Sequence, residues 1–161
     1  MLFLLFQLDA DRYALPARNV KEVLPLVTTR VLPGAPAGIS GVVNYRGLAV
    51  PVLDLALLAL GRPAARRVST RMLIVDFPTA DGQERLLAVV VENATAMVAM
   101  EPADFRPLGI ATAGARYLGP VAHDDRGMIQ RVDVSALLTA ELRAALDAAV
   151  ATEPPRAALA R

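Results

Sequence analysis

The chain has 161 residues, with 17 basic residues against 16 acidic, one histidine, 55% hydrophobic residues and only 4% aromatics. A chain this apolar buries enough surface to offset its ordering entropy, which excludes intrinsic disorder, and its length suits one domain or two small lobes. Without Cys there is no disulfide, thiol nucleophile or thiolate metal site; one His excludes a multi-histidine metal cluster; and a net charge of +1 gives no long-range attraction to nucleic acid or anionic lipid.

The opening run Met1-Leu-Phe-Leu-Leu-Phe6 is followed at once by Gln7 and Asp9. It is too short for a membrane span and lacks the positive leader of a secretory signal, so it reads as the start of a strand in a cytoplasmic protein. Residues 2–8 form this strand. A turn at Asp9-Ala-Asp-Arg12 and a second short run at Tyr13-Ala-Leu-Pro16 follow. Residues 20–26 mix apolar and charged positions and stay undecided between states, whereas 28–32 look extended. A corner at Pro33-Gly-Ala-Pro-Ala-Gly38 leads to two β-branched runs, 41–45 and 48–53, separated by Arg46-Gly47, a tight-turn signal. Residues 54–60 have helical spacing and stop at Gly61, with Pro63 beyond.

Residues 62–67 read as an irregular basic connection, with Arg66-Arg67 in a solvated loop. Strands at 72–77 and 86–91 form the clearest hairpin, through an Asp81-Gly82 turn. Residues 98–100 continue or re-pair its second arm. A further hairpin joins 117–122 to 128–134 across His123-Asp-Asp-Arg-Gly127. Many short strands without long intervening helices favour barrels or a sandwich. The end differs: Leu137, Leu138, Leu142, Ala145, Leu146, Ala149 and Val150 follow one helical period over 135–150, with Ser135 or Thr139 as cap. Residues 1–150 then make the domain and 151–161 a flexible tail. No internal repeat stands out.

Catalytic constellations are missing from the sequence. Neither a G-x-x-x-x-G-K-S/T nor a G-x-G-x-x-G phosphate cradle occurs. Gly38-Ile-Ser-Gly41 is one residue short of a nucleophile elbow, which leaves Ser40 a polar loop residue. His123-Asp124-Asp125 could offer ligands to a hard cation, but neighbours on one turn rarely converge on an ion. Asp9, Asp11, Asp124 and Asp125 suit turns, where Asp bonds local backbone. The reading is a non-enzyme without cofactor or metal. A small-barrel enzyme or ligand-binding protein is the contrary hypothesis, which turnover or saturable ligand binding would revive.

The most distinctive stretch is Gly41-Val-Val-Asn-Tyr-Arg-Gly-Leu-Ala-Val-Pro-Val-Leu-Asp-Leu55. It resembles the signature of CheW-like domains: a strand, an Asn-x-Arg-Gly turn, an apolar strand carrying Pro, and Asp-Leu opening a helix. Tyr13-Ala-Leu-Pro16, Val20-Lys-Glu-Val23, the Pro33…Pro36 corner, the strands at 72–76 and 87–92, and Tyr117-Leu-Gly119 match in order, so the likeness covers about residues 2–146. Tyr45 stands where the family often has Leu, Val91-Glu92 where Val-Asp is usual, and Gly119-Pro120 where Gly-Val is more common.

The resemblance implies a mainly β fold of two five-stranded SH3-like barrel lobes with a core between them, a short helix after the signature and a C-terminal helix. It also implies a non-catalytic adaptor that couples the cytoplasmic tips of methyl-accepting chemoreceptors to the regulatory domain of the histidine kinase CheA, at receptor arrays on the inner face of the plasma membrane. A chain with little besides this domain is similar to the family's stand-alone couplers rather than to the kinase. An adaptor of a non-flagellar pathway (surface sensing, twitching or second-messenger output) is the alternative. Val20, Glu22, Gly41 and Arg46 fall on family positions associated with receptor contact; Asn44, Gly47, Pro51 and Asp54 are signature positions with structural roles.

The residues carry their own arguments. Gly41 either lets a partner helix approach the backbone or allows a strand bend. Arg46 either touches a partner or fixes its loop by an ion pair with Glu22. Asn44 bonds turn backbone and Asp54 caps the following helix. Val42, Val43, Val50 and Leu53 form a core face, and both Arg46→Ala and Gly41→Asp are expected to leave folded protein with weakened receptor binding.

Overall fold

In the computed structural model, which describes residues 1–79, 82–110 and 118–152, the continuous apolar runs at 72–77 and 86–91 become central strands buried on both faces. The strands are β1 Leu2–Leu8, β2 Asp11–Pro16, β3 Val20–Pro25, β4 Ile39–Tyr45, β5 Leu48–Asp54, β6 Arg71–Pro78, β7 Glu84–Val91, β8 Ala96–Ala99, β9 Leu118–Asp124 and β10 Gly127–Val132. The helices are α1 Leu55–Leu60, α2 Val134–Leu137 and α3 Ala140–Thr152.

These strands form two five-stranded sheets, in the orders β8-β1-β2-β10-β9 and β3-β6-β7-β5-β4. Both sheets follow one pairing scheme. In each, a central antiparallel pair (β1·β2 or β6·β7) has an antiparallel edge strand on one side and, on the other, a parallel neighbour that pairs in turn with the far edge. A repeat thus exists in topology that has no counterpart as a repeated sequence. In each lobe the segment leaving one edge strand makes a backbone bridge to the opposite edge: Arg30 to Val42 in the β3–β7 lobe, Arg106 to Val121 in the other.

Period-two alternation divides the buried side chains among three cores. Along β6 and β7, Met72, Ile74, Ala88 and Val90 point into their own lobe with Val43, Val50 and Val52. Leu73, Val75, Phe77, Leu87, Val89 and Val91 point the other way, into a core shared between the lobes with Leu4, Phe6, Leu8, Leu15 and Leu53. Phe3 and Ala14 face the interior of the first lobe with Phe105, Ala122 and Ile129. Each large aliphatic side chain buried in this way contributes about 1.5–3 kcal/mol over leaving it exposed. A strand that must feed two cores cannot alternate with polar residues, which is why 72–77 and 86–91 read as unbroken apolar runs.

Several boundaries differ from the sequence reading. The undecided 20–26 segment is β3, an edge strand whose alternating half-buried and exposed residues explain its mixed pattern. Residues 28–32 make one bridge rather than a strand. Residues 98–100 do not extend β7: β8 crosses to the other lobe and pairs with β1. The last hairpin is tighter than expected, since Asp124 pairs with Gly127 and leaves only Asp125-Arg126 as its tip. The single 135–150 helix is broken at Leu138-Thr139, because the Thr139 hydroxyl accepts from Leu142 N (3.1 Å) and starts α3 afresh. Val42 is half-buried rather than core. Asp81, Tyr117, the side chains of Ala149 and Val150, and residues 153–161 of the expected tail lie outside the described residues.

Candidate functional site

At the tip of the β4–β5 hairpin, Arg46 and Gly47 both have positive φ (+50° and +82°), which makes a two-residue turn whose twist suits the flanking strands. Asn44 supports it by accepting the Gly47 N–H at 2.9 Å, as the sequence suggested. Gly accommodates such a φ freely; Arg46 is held there by the turn.

This turn brings Tyr45 and Arg46 to Glu22. The Tyr45 hydroxyl donates to Glu22 Oε2, and Arg46 Nη2 donates to the same oxygen at 3.0 Å. The Arg46 guanidinium lies over the Tyr45 ring, 5.1 Å from its centroid. The hydrogen bond to Glu22 is the main reason that the Tyr45 hydroxyl is held above its ordinary pKa of 10.0, with burial adding to it and the Arg46 charge opposing. Glu22 lies on β3 and Tyr45 on β4, the two edges of one sheet. The cluster therefore latches the open seam of this lobe through side chains where no strand ladder closes it. Arg46 is 73% and Glu22 34% exposed, so the pair adds only about 0.2–1 kcal/mol of stability and leaves a charged rim in solvent.

Val20 and Glu22 share more than a strand. With Leu4, Ala17, Lys21, Val23 and Met97 they line a groove of about 210 Å³ between β3 of one lobe and β1 and β8 of the other. Val23 and Met97 are exposed apolar residues there, and Leu2 on β1 is another. Lys21 is paired with Asp76 at 3.2 Å.

Gly41 does not line this groove. A Cβ there would stand 2.1 Å from the Arg30 carbonyl oxygen, so what approaches its backbone is the chain's own bridging segment. That corrects the expectation that Gly41→Asp leaves the fold intact. Pro51 is half-buried on β5 and faces an outer cleft with Pro36, Ala49 and Leu142. Asp54 is buried and does two tasks: it accepts from Leu57 N (3.2 Å) to cap α1, and from Ala64 N (2.9 Å) to fix the chain beyond that helix.

The acidic turns are engaged elsewhere. Both Asp124 oxygens accept from Arg12 at 2.7 Å, and Oδ1 also takes Arg126 N at 2.9 Å. These bonds hold the Asp124 carboxyl well below the usual carboxylate range, Arg12 contributing most. Arg62 joins Asp9 to the buried Glu92, at 2.8 Å each, and its guanidinium pKa is raised by both, Glu92 first. The sequence reading treated Arg62 as part of a loop and Glu92 as a departure from the family; together they clamp that loop to the β1–β2 turn. Among the described residues no group of three His, Cys, Asp or Glu could hold a metal ion, and no helix is long and apolar enough to cross a membrane.

Tyr45 is the member of the cluster that sequence reasoning did not assign. Its signal was there: a tyrosine on a strand face that packs into a barrel needs a partner for its hydroxyl at the rim.

Two matched five-stranded lobes, a shared core and a polar rim beside an apolar interlobe groove define a two-lobed β module. The chain belongs to the CheW-like domain family, whose match spans residues 2–142. It is 26% identical over 147 residues to the chemotaxis protein CheW of Klebsiella aerogenes, covering 90% of this chain and 86% of that one. It is 23% identical over 138 residues to the chemotaxis protein CheW of Treponema pallidum, covering 84% and 81%. The fold is similar to the crystal structure of the scaffolding protein TtCheW from Thermoanaerobacter tengcongensis, with a TM-score of 0.73, 23% identity, and coverage of 88% of this chain and 89% of that one.

Proposed function

We propose that this protein is a non-catalytic adaptor in chemotaxis signalling, coupling methyl-accepting chemoreceptors to the histidine kinase CheA. The relatives named as chemotaxis proteins and the scaffolding protein of like fold support the pathway and the role. The observation that carries the receptor contact is the interlobe groove, where apolar Val20, Val23 and Met97 lie beside the charged Glu22. Such a groove suits a helical hairpin that presents apolar ridges with polar flanks. The Glu22–Tyr45–Arg46 latch holds that rim in one geometry before the receptor arrives, which lowers the ordering cost of binding. The kinase regulatory domain packs on a different face, so each partner raises the local concentration of the other without a chemical step. The complex sits at the cytoplasmic receptor tips, on the inner face of the membrane.

Tagged wild-type protein used as bait in a lysate of its native host tests the proposal. Recovery of a chemoreceptor and the kinase together is the expected result. Recovery of neither, at bait levels that retain the folded protein, overturns it.

A further inference from the structure

Among the described residues, some arginines hold a carboxylate and others do not. Arg12, Arg46, Arg62 and Arg131 each hold a carboxylate. Arg66, Arg67 and Arg71 hold none among the described residues, and all three line one cleft of about 400 Å³ beside the end of β3. Three unneutralised guanidinium groups around one opening make a local concentration of positive charge in a molecule that is otherwise nearly balanced.

The cleft is not purely ionic. Pro25 and Leu26 form part of its wall, and Val68, 88% exposed, stands between the arginine pair and Arg71. Nor is the loop that carries these residues loose. Ala64 N is held by Asp54, Thr70 N donates to the Arg67 carbonyl at 3.0 Å, and Ser69 O accepts from Ala94 N at 3.0 Å. Arg62 anchors its start through Glu92 and Asp9. The tip 66–68 is thus displayed from a fixed base, so little backbone order remains to be lost on binding.

We infer that this cleft is a second docking surface, for an acidic and partly apolar segment of a partner protein, with Arg66, Arg67 and Arg71 pairing its carboxylates and Val68 and Leu26 receiving its apolar side chains. Charge complementarity sets the sign of the partner. The apolar wall selects a peptide over a bare anion, which would gain nothing from Val68. The arginine fork pairs planar carboxylates in a way that lysine cannot, and a fixed loop lets it do so with a defined orientation. The surface uses none of the residues of the interlobe groove, so it stands or falls apart from the receptor reading.

The test is fluorescence anisotropy with the full-length protein and a short labelled peptide in which glutamate pairs alternate with leucines. Saturable binding is expected, weakening as ionic strength rises. It should fall about tenfold or more in R66Q/R67Q, the size of effect expected when charge-assisted bonds are removed. It should fall to a smaller extent in V68S, and vanish for the same peptide with glutamine in place of glutamate. Far-ultraviolet circular dichroism and the melting temperature verify that both exposed-loop variants remain folded. Equal binding by wild type and R66Q/R67Q overturns the inference, as does no binding by wild type. Displacement by tripolyphosphate or an oligonucleotide at lower concentration than by unlabelled peptide, with V68S without effect, marks a general anion site and also overturns it.

Discussion

The two lobes meet the same structural problem with different chemistry. Each is a five-stranded sheet whose edges must come together, and each brings the chain leaving one edge back across to the other, at Arg30–Val42 and at Arg106–Val121. In the first lobe that returning segment inserts Phe105, whose ring lies 5.1 Å from Phe3 and is buried with Ala14, Ala122 and Ile129. In the second lobe the seam is spanned by Glu22, Tyr45 and Arg46 at a partly exposed rim. An apolar plug stabilises a lobe through area removed from water. A solvated ionic latch adds little stability but fixes charged groups where another molecule can reach them. The lobe with the ionic latch supplies the β3 side of the candidate receptor groove, and β1 and β8 of the plugged lobe supply the other side.

That contrast can be broken by substitution. Phe105→Ala should have the largest effect, a loss of about 3 kcal/mol in chemical denaturation, because it removes a buried aromatic and leaves a void against Phe3. A loss under about 1 kcal/mol, the range of a surface contact, would mean the first lobe closes by other means. Gly41→Ala should follow, at about 2 kcal/mol, since its new Cβ must displace the Arg30 carbonyl and with it the backbone bridge of the second lobe. Gly41→Asp should be worse, and a receptor-binding defect in either variant would then report lost structure.

Arg46→Ala should cost less than about 1 kcal/mol, as befits an exposed ion pair. The smallest expected effect separates the lobes by pH. The Asp124 carboxyl is depressed in the folded state by Arg12, so its contribution is present above the ordinary value of 3.8 and is lost as the pH falls from there towards the lower folded value. Acid titration of stability should therefore be shallower in Arg12→Ala than in wild type, with the two curves differing above that pH and converging below it. Parallel curves would show that the β2–β9 tie of the first lobe does not influence its stability.

How much of this could be read from the residues follows from where the information lies. The Asn44 turn and the Asp54 cap with Gly61 depend on short-range chemistry and were legible; the pairing of Glu22 with Arg46, 24 positions apart, could be offered only as one of two readings, on the likeness of charge and position. The assignment of β8 to β1, and the parallel pairing of β2 with β10, were not, because local alternation does not state which distant edge a strand will meet. The break at Thr139 was hidden by Leu137, Leu138, Leu142 and Leu146, which keep an apolar period across it. Gly41 was recognised as special, but what crowds it is a carbonyl from eleven positions upstream that only the closed seam brings near. Tyr45 stood out as a departure from the family while its partner, on the opposite edge strand, was invisible until the lobe was closed.

The most direct measurement is capture of chemoreceptor by Arg46→Ala, carried out beside wild type with kinase capture and thermal unfolding recorded on the same preparations. An adaptor whose receptor contact depends on the latched rim predicts near wild-type melting, retained kinase and a marked loss of receptor. Receptor recovered in full by the folded variant would contradict it.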